Sequence, residues 1–176
     1  RLEFNQKHAG DVYATHGLGP VCQVMDIHRG DKMDYLVSLS TPSINGLKIA
    51  KETMGSETFA NGDMTSTLIK TNRGKTILIQ HNVYTPRPYD RLYQLTGTEG
   101  FANKYPYQGF TLKEENVPSD VIPDHEKLDE HGFVSNEVRD SLLVAYKHPI
   151  AKDIEEKAKS VGGHGGMDFI MDYRLI

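Results

Sequence analysis

The sequence predicts an α+β fold, and three observations predict it. A hairpin signature stands near its centre, where the β-rich runs TSTLIKT and KTILIQHNV flank Asn72-Arg73-Gly74. A second run, DYLVSLST at residues 34–41, alternates apolar and polar side chains and sets Tyr35, Val37 and Leu39 on one side of a strand. Helical spacing then governs the last part of the chain, with Val138, Leu142, Leu143 and Tyr146 on one face.

Taken in order, Arg1 to Pro20 is polar and irregular and ends in the string YATHGLGP at Tyr13–Pro20. After that Gly-Pro break, Val21, Val24, Met25 and His28 have the spacing of a short helix ending at Gly30. The strand at 34–41 closes at Pro42, and Leu47 to Met54 reads as a short helix running into Gly55. The hairpin follows. Thr85-Pro86-Arg87-Pro88-Tyr89 is held extended and outside a central ladder by its prolines. Arg91 to Thr96 reads as a strand, with a turn at Gly97–Gly100. Phe101 to His131 reads as loop. A helix capped at Asn136 is expected to end at Pro149, with His148 at its C-terminus, where the helix dipole favours a histidine. A charged helix from about Ala151 to Val161 leads to Gly162-Gly163-His164-Gly165-Gly166. The final helical segment, Met167 to Ile176, has no C-cap, which reads as a helix cut short in a fragment.

A length of 176 residues suits one domain, or two small ones. With 38% hydrophobic residues, 25% charged residues and a mean hydropathy of -0.51, the composition is globular and polar. No apolar run approaches the ~18 residues of a membrane span. Twenty Lys and Arg against 24 Asp and Glu give a net charge of -4, which argues against nucleic acid as a partner. Cys22 is the single cysteine, so neither an internal disulfide framework nor a cysteine-based zinc site is available. No glycine-rich phosphate-cradling turn of the G-x-G-x-x-G or P-loop kind follows a strand.

Four places carry possible chemistry. The eight histidines are dispersed, with no H-E-x-x-H among them, so no metal site is expected. His16 sits among glycines with a phenol three residues away, a setting for proton transfer near neutral pH or for simple capping of a helix entry. His164 stands among four glycines with Asp168 four residues on; it is either an oriented imidazole or part of a flexible linker. The rigid TPRPYDR segment presents Tyr89 to a polar ligand such as a sugar, or is a plain edge crossover. Tyr105 and Tyr107 could line a carbohydrate site or belong to an ordinary loop.

The strings YATHGLGP, GDMTSTLIKTNRGKTILIQHNV with TPRPYDRLYQLTGTEG, and GGHGGMDFIMDYRLI together resemble the C-terminal domain of glycoside hydrolase family 109. These are bacterial NAD-dependent α-N-acetylgalactosaminidases in the larger Gfo/Idh/MocA oxidoreductase superfamily. The resemblance covers nearly the whole chain. It implies an open, mostly antiparallel sheet with helices packed on one face, residues 1–176 forming a single C-terminal substrate and oligomerisation domain, and an N-terminal Rossmann domain for NAD outside this chain. The implied reaction oxidises sugar C3 with NAD, eliminates the C1 leaving group after loss of the C2 proton, adds water and reduces C3 again, with retention.

By motif match, His16 and Tyr13 are the expected catalytic residues. Arg1, Tyr13, Ala14, Thr15, His16 and Tyr89 are the expected substrate contacts, and Tyr13 also lies near the cofactor. His164 joins the substrate contacts on its chemistry. The implied partners are a glycan ending in N-acetylgalactosamine and further copies of the chain through the sheet face. The implied location is bacterial, periplasmic or secreted. The fragment alone is expected to be inactive. A sugar or inositol dehydrogenase of the same superfamily, or a non-catalytic binding and assembly domain, are the competing readings.

Overall fold

A computed structural model describes residues 2–116 and 128–175. Helices and antiparallel strands coexist, so the α+β class stands. The strands form two three-stranded sheets, one in each of two compact units, Arg1–Arg91 and Leu92–Ile176.

In the first unit, α1 (Leu2–Lys7) occupies the stretch expected to be irregular. The next helix, α2 (Thr15–Val24), starts before the Gly-Pro pair rather than after it. Its first turn closes because the Ala14 carbonyl accepts from both the Gly17 and Leu18 amides, at 3.1 and 2.8 Å. Pro20 therefore lies inside the helix, where it cannot donate the usual bond to the His16 carbonyl.

The sheet is β1 (Met33–Ser40), β2 (Met64–Thr71) and β3 (Thr76–Asn82), with β2 central. The expected hairpin joins β2 to β3, closed by Gly74 with φ 86° and by the Thr71 amide bonding to the Lys75 carbonyl at 2.9 Å. Polar and apolar residues share both faces of the sheet. Thr65, Thr67, Ile69 and Thr71 turn inward and are buried. On the other face Leu68 lies between Val37 and Leu78, and these are 52%, 57% and 63% exposed. Tyr35 and Leu39 extend that open apolar face, sharing a side with Val37 as their alternation predicts.

Between β1 and β2 runs α3 (Asn45–Met54), stopped by Gly55 in a left-handed conformation at φ 65°. Ile44, at its N-cap, has no side chain able to cap. Asp63 does it from across the chain, accepting from the Ile44, Asn45 and Gly46 amides at 3.2, 2.9 and 2.9 Å. Burial alone would raise the Asp63 carboxyl, but these bonds and one from the Asn45 amide side chain hold it below its ordinary 3.8.

The second unit contains β4 (Tyr93–Thr96), β5 (Gly100–Lys104) and β6 (Gly109–Leu112) in that order. The turn at 97–100 is as expected, with the Gly97 amide on the Gly100 carbonyl at 2.8 Å. Strands β5 and β6 replace part of the expected loop. They are too short and too glycine-bounded to announce themselves by alternation. The core is Val134, Val138 and Leu142, with Phe110 and Leu112 packed against it.

Helix α4 (Asn136–Ala145) is capped by Ser135, one residue before the expected cap, through its hydroxyl accepting from the Val138 amide at 3.3 Å. Pro149 corrects a second expectation: it opens α5 (Pro149–Val161) instead of closing α4. Proline suits the first helical position because the N–H it lacks has no partner there. His148 is accordingly an N-cap, its Nδ1 accepting from the Ile150 amide at 3.2 Å, and not a C-terminal residue on the helix dipole. A 3₁₀ turn at His164–Gly166 leads into α6 (Met167–Leu175). Among the described residues, no helix is long and apolar enough to cross a membrane.

Candidate functional site

The site the sequence singles out is built on the entry to α2. Tyr13 lies in the turn before the helix and His16 in its first turn, three residues on. That spacing brings the Tyr13 hydroxyl to 2.8 Å from His16 Nε2, with the rings edge to face at 5.1 Å between centroids. Both residues are exposed, Tyr13 by 47%. A phenol and an imidazole sharing one hydrogen bond can each give or take a proton, so the couple can pass a proton to a ligand in either direction.

The surroundings keep this turn open. A side chain at Gly17 or Gly19 would meet nothing within 4 Å. Ala14 holds the N-cap position without a side-chain hydrogen bond, so the first amides of α2 have no capping side chain from it. Thr15 is exposed beside them.

The loop leading to Tyr13 is fastened to the interior. The Gly10 amide donates to Asn61 Oδ1 at 3.1 Å, and Asn61 is fully buried. The Asp11 carboxylate accepts from the Thr67 hydroxyl on β2, and Thr67 in turn meets Ser38 on β1 at 2.7 Å. Nothing local in the sequence marks Asp11, because its partner lies 56 positions away.

At the far end of α2 the chain turns through Asp26 and His28, both at positive φ. Asp31, with its side chain wholly buried, ties this turn to the β2–β3 hairpin. Burial would raise its carboxyl, but donors from the Thr71 hydroxyl, the Lys32 and Arg73 amides and the Lys75 ammonium lower it to about 2.

Tyr89 stands on the TPRPY segment, 71% exposed, with the Arg91 guanidinium 5.4 Å from its ring centroid. The segment is pinned at its start by Thr85, whose hydroxyl donates to Asn82 Oδ1 at 2.8 Å, and braced by an Arg87–Asp90 ion pair at 3.3 Å.

His164, in the second unit, has its Nδ1 held by Asp168 at 2.9 Å, the oriented-imidazole alternative for this histidine. The close approach behind it demands glycine: a Cβ on Gly166 would sit 2.7 Å from the Ala158 backbone of α5. Tyr13 and His16 are thus brought into direct contact, whereas Tyr89 and His164 are each held by a partner from their own segment. Arg1 lies outside the described residues. Among the described residues no three histidine, cysteine or acidic side chains gather to hold a metal ion.

Residues 1–176 match the family described as glycosyl hydrolase 109, C-terminal domain. A glycosyl hydrolase family 109 protein of Bacteroides fragilis is 58% identical over 178 aligned residues, and one of Porphyromonas gingivalis is also 58% identical. A third, from Phocaeicola vulgatus, is 47% identical. Each alignment covers 100% of this chain, and the chain spans 38%, 38% and 32% of these relatives in turn. The chain belongs to the glycosyl hydrolase 109 family, as its C-terminal domain.

Proposed function

We propose that the whole protein is a bacterial glycosidase that removes terminal α-linked N-acetylgalactosamine with retention, through an NAD-dependent cycle of oxidation, elimination, water addition and reduction. The observation that supports this reading best is the exposed Tyr13–His16 couple, joined at 2.8 Å, in a chain of a glycosyl hydrolase family. Two carboxylates flanking a scissile bond are the usual glycosidase pair. A phenol–imidazole relay suits instead a reaction that begins by taking the proton from a sugar hydroxyl.

The donor set of this chain fits the reacting end of NAD. Tyr13 is open to a ring lying beside it, while no strand-borne glycine turn is present for the pyrophosphate. A Rossmann domain in the length that the relatives have beyond this chain would supply that turn. When bound, NAD accepts a hydride from the sugar carbon and returns it at the end of the cycle. Proton movement falls to this chain: the Tyr13–His16 couple exchanges protons with the sugar oxygens. The uncapped amides and hydroxyl at Ala14 and Thr15 meet a polar substituent such as the acetamido carbonyl. Tyr89 and Arg1 are further substrate contacts of the first unit, and His164, in the second, is proposed as a substrate contact on its chemistry alone. The open face carrying Tyr35, Val37, Leu39, Leu68 and Leu78 supports assembly with further copies, and a periplasmic or secreted location suits a polymeric glycan substrate.

The test is release of an aryl aglycone from an aryl α-N-acetylgalactosaminide by the whole protein, with absorbance of NADH followed in parallel. Cleavage without net NADH is expected. Stoichiometric NADH without cleavage would make the protein a sugar dehydrogenase. With neither, and with no Rossmann fingerprint upstream of Arg1, the reading as a non-catalytic binding and assembly domain gains.

A further inference from the structure

The inward face of the first sheet carries buried hydroxyls beside its aliphatic side chains Ile69 and Ile77. Thr65, Thr67 and Thr71 are all buried there, at 0%, 5% and 2% exposure. Ser40 meets Thr65 at 2.9 Å, and Ser38 meets Thr67 at 2.7 Å. Of these hydroxyls, Thr67 reaches beyond the sheet to the loop that carries Tyr13.

The direction of the bonds follows from the chemistry. An ionised carboxylate only accepts, so Thr67 gives its hydroxyl proton to Asp11. Thr67 is then left as an acceptor, and Ser38 donates to it. The chain runs from β1 through β2 to the loop in one sense, and each bond polarises the next. The second carboxylate oxygen of Asp11 is buried without a partner among the described residues. Thr67 therefore supplies the hydrogen bond that keeps this half-buried carboxylate in place; without it, neither oxygen has a donor among the described residues, and Oδ1 is sealed from water. The loop would have to swing out to wet it. Tyr13 lies two residues further on, within ~7 Å of chain, and would move with it.

We infer that Thr67 is a positioning residue for the Tyr13–His16 couple, acting through Asp11 and backed by Ser38. This rests on the reading of the couple as the proton relay. In functional terms, the sheet sets the couple's height and angle against a substrate, and misplacement by about 1 Å costs turnover up to 10²-fold without costing affinity.

The experiment uses the whole protein, with Thr67→Val and Thr67→Ser compared. Valine keeps the shape and the strand preference and removes only the hydroxyl. Two readouts are taken: the ring signals of isotope-labelled His16 by NMR, and kcat and KM on an aryl α-N-acetylgalactosaminide. Thr67→Val is expected to shift the His16 ring signals and to lower kcat roughly 10- to 100-fold with KM within about twofold. Thr67→Ser is expected to restore both. Ser38→Ala, further from the couple, gives a smaller change in the same direction and serves if Thr67→Val fails to fold. Unmoved His16 signals in both Thr67→Val and Ser38→Ala overturn the inference whatever the activity. Shifted signals with unchanged turnover leave the positioning intact and remove the couple from the reaction.

Discussion

The two compact units each hold a three-stranded antiparallel sheet, yet among the described residues only the first buries a polar set beside its apolar residues Ile27, Ala50, Phe59, Ile69 and Ile77. In the second, Val134, Val138 and Leu142 close against Phe110 and Leu112, an apolar cluster of the ordinary kind. In the first, Asp31, Asn61, Asp63, Thr65, Thr67 and Thr71 are all buried, and each makes hydrogen bonds to groups distant in sequence or across strands. The apolar driving force is non-directional. Hydrogen bonds fix angles as well as distances. The unit that carries the Tyr13–His16 pair is the one whose interior also fixes angles.

The largest effect should separate the two histidines. His16→Ala in the whole protein is expected to lower kcat about 10²- to 10⁴-fold, the usual worth of a general acid or base. His164→Ala removes an oriented imidazole whose partner is a carboxylate, a group suited to binding, and is expected to act mainly on KM. Steady-state kinetics on the aryl glycoside checks both. Near-wild-type turnover for His16→Ala would take the couple out of the mechanism.

Stability should differ in kind as well. Leu142→Ala opens a cavity in the second unit and is expected to cost about 3 kcal/mol. Asp63→Ala in the first leaves the Ile44, Asn45 and Gly46 amides without their acceptor, which costs about 2 kcal/mol. Denaturant unfolding of the whole protein reads both. An Asp63→Ala variant as stable as wild type would mean that α3 finds another cap.

How much of this was legible in the sequence depends on the range of the contact. The β2–β3 hairpin could be read because Asn72-Arg73-Gly74 and the β-branched residues beside it are local signals. Tyr13 and His16 could be read for the same reason, lying three residues apart. Pro149 misled because proline both ends and begins helices, and the choice was made by the His148 side chain capping forward. Asp11 and Asp63 gave no sign of their roles. Their partners lie 56 and up to 19 positions away, and an aspartate among polar residues looks like any solvated one. The burial of Thr67 was equally hidden, since alternation in TSTLIKT does not say which side faces in.

The polar unit should also be the acid-sensitive one. The Asp31 carboxyl is lowered from 3.8 to about 2, and Asp63 is lowered as well. Groups depressed in the folded state stabilise it fully above their unfolded values, and that stability is lost as pH falls between about 4 and 2. Amide hydrogen exchange across that range is expected to show residues of the first unit opening before the Val134–Leu142 cluster. Asp31→Asn should flatten the dependence. Simultaneous opening of both units would erase the distinction drawn between them.

The smallest effect belongs to the open face of the first sheet. Leu68 is central there, 52% exposed between Val37 and Leu78. Leu68→Thr preserves strand preference and removes little burial within the chain, so its cost to folding should stay within about 0.5 kcal/mol. The same substitution acts differently if another copy covers this face. Each partner would then lose apolar contact at the centre of a shared surface, where association is most sensitive. Sedimentation of the whole protein is expected to show a shift toward smaller species in Leu68→Thr at unchanged thermal midpoint of the dissociated form. If mass is unchanged and folding weakens by several kcal/mol, the face is covered within one chain. The open side of the sheet would then be as much a positioning surface as the side that buries Thr67.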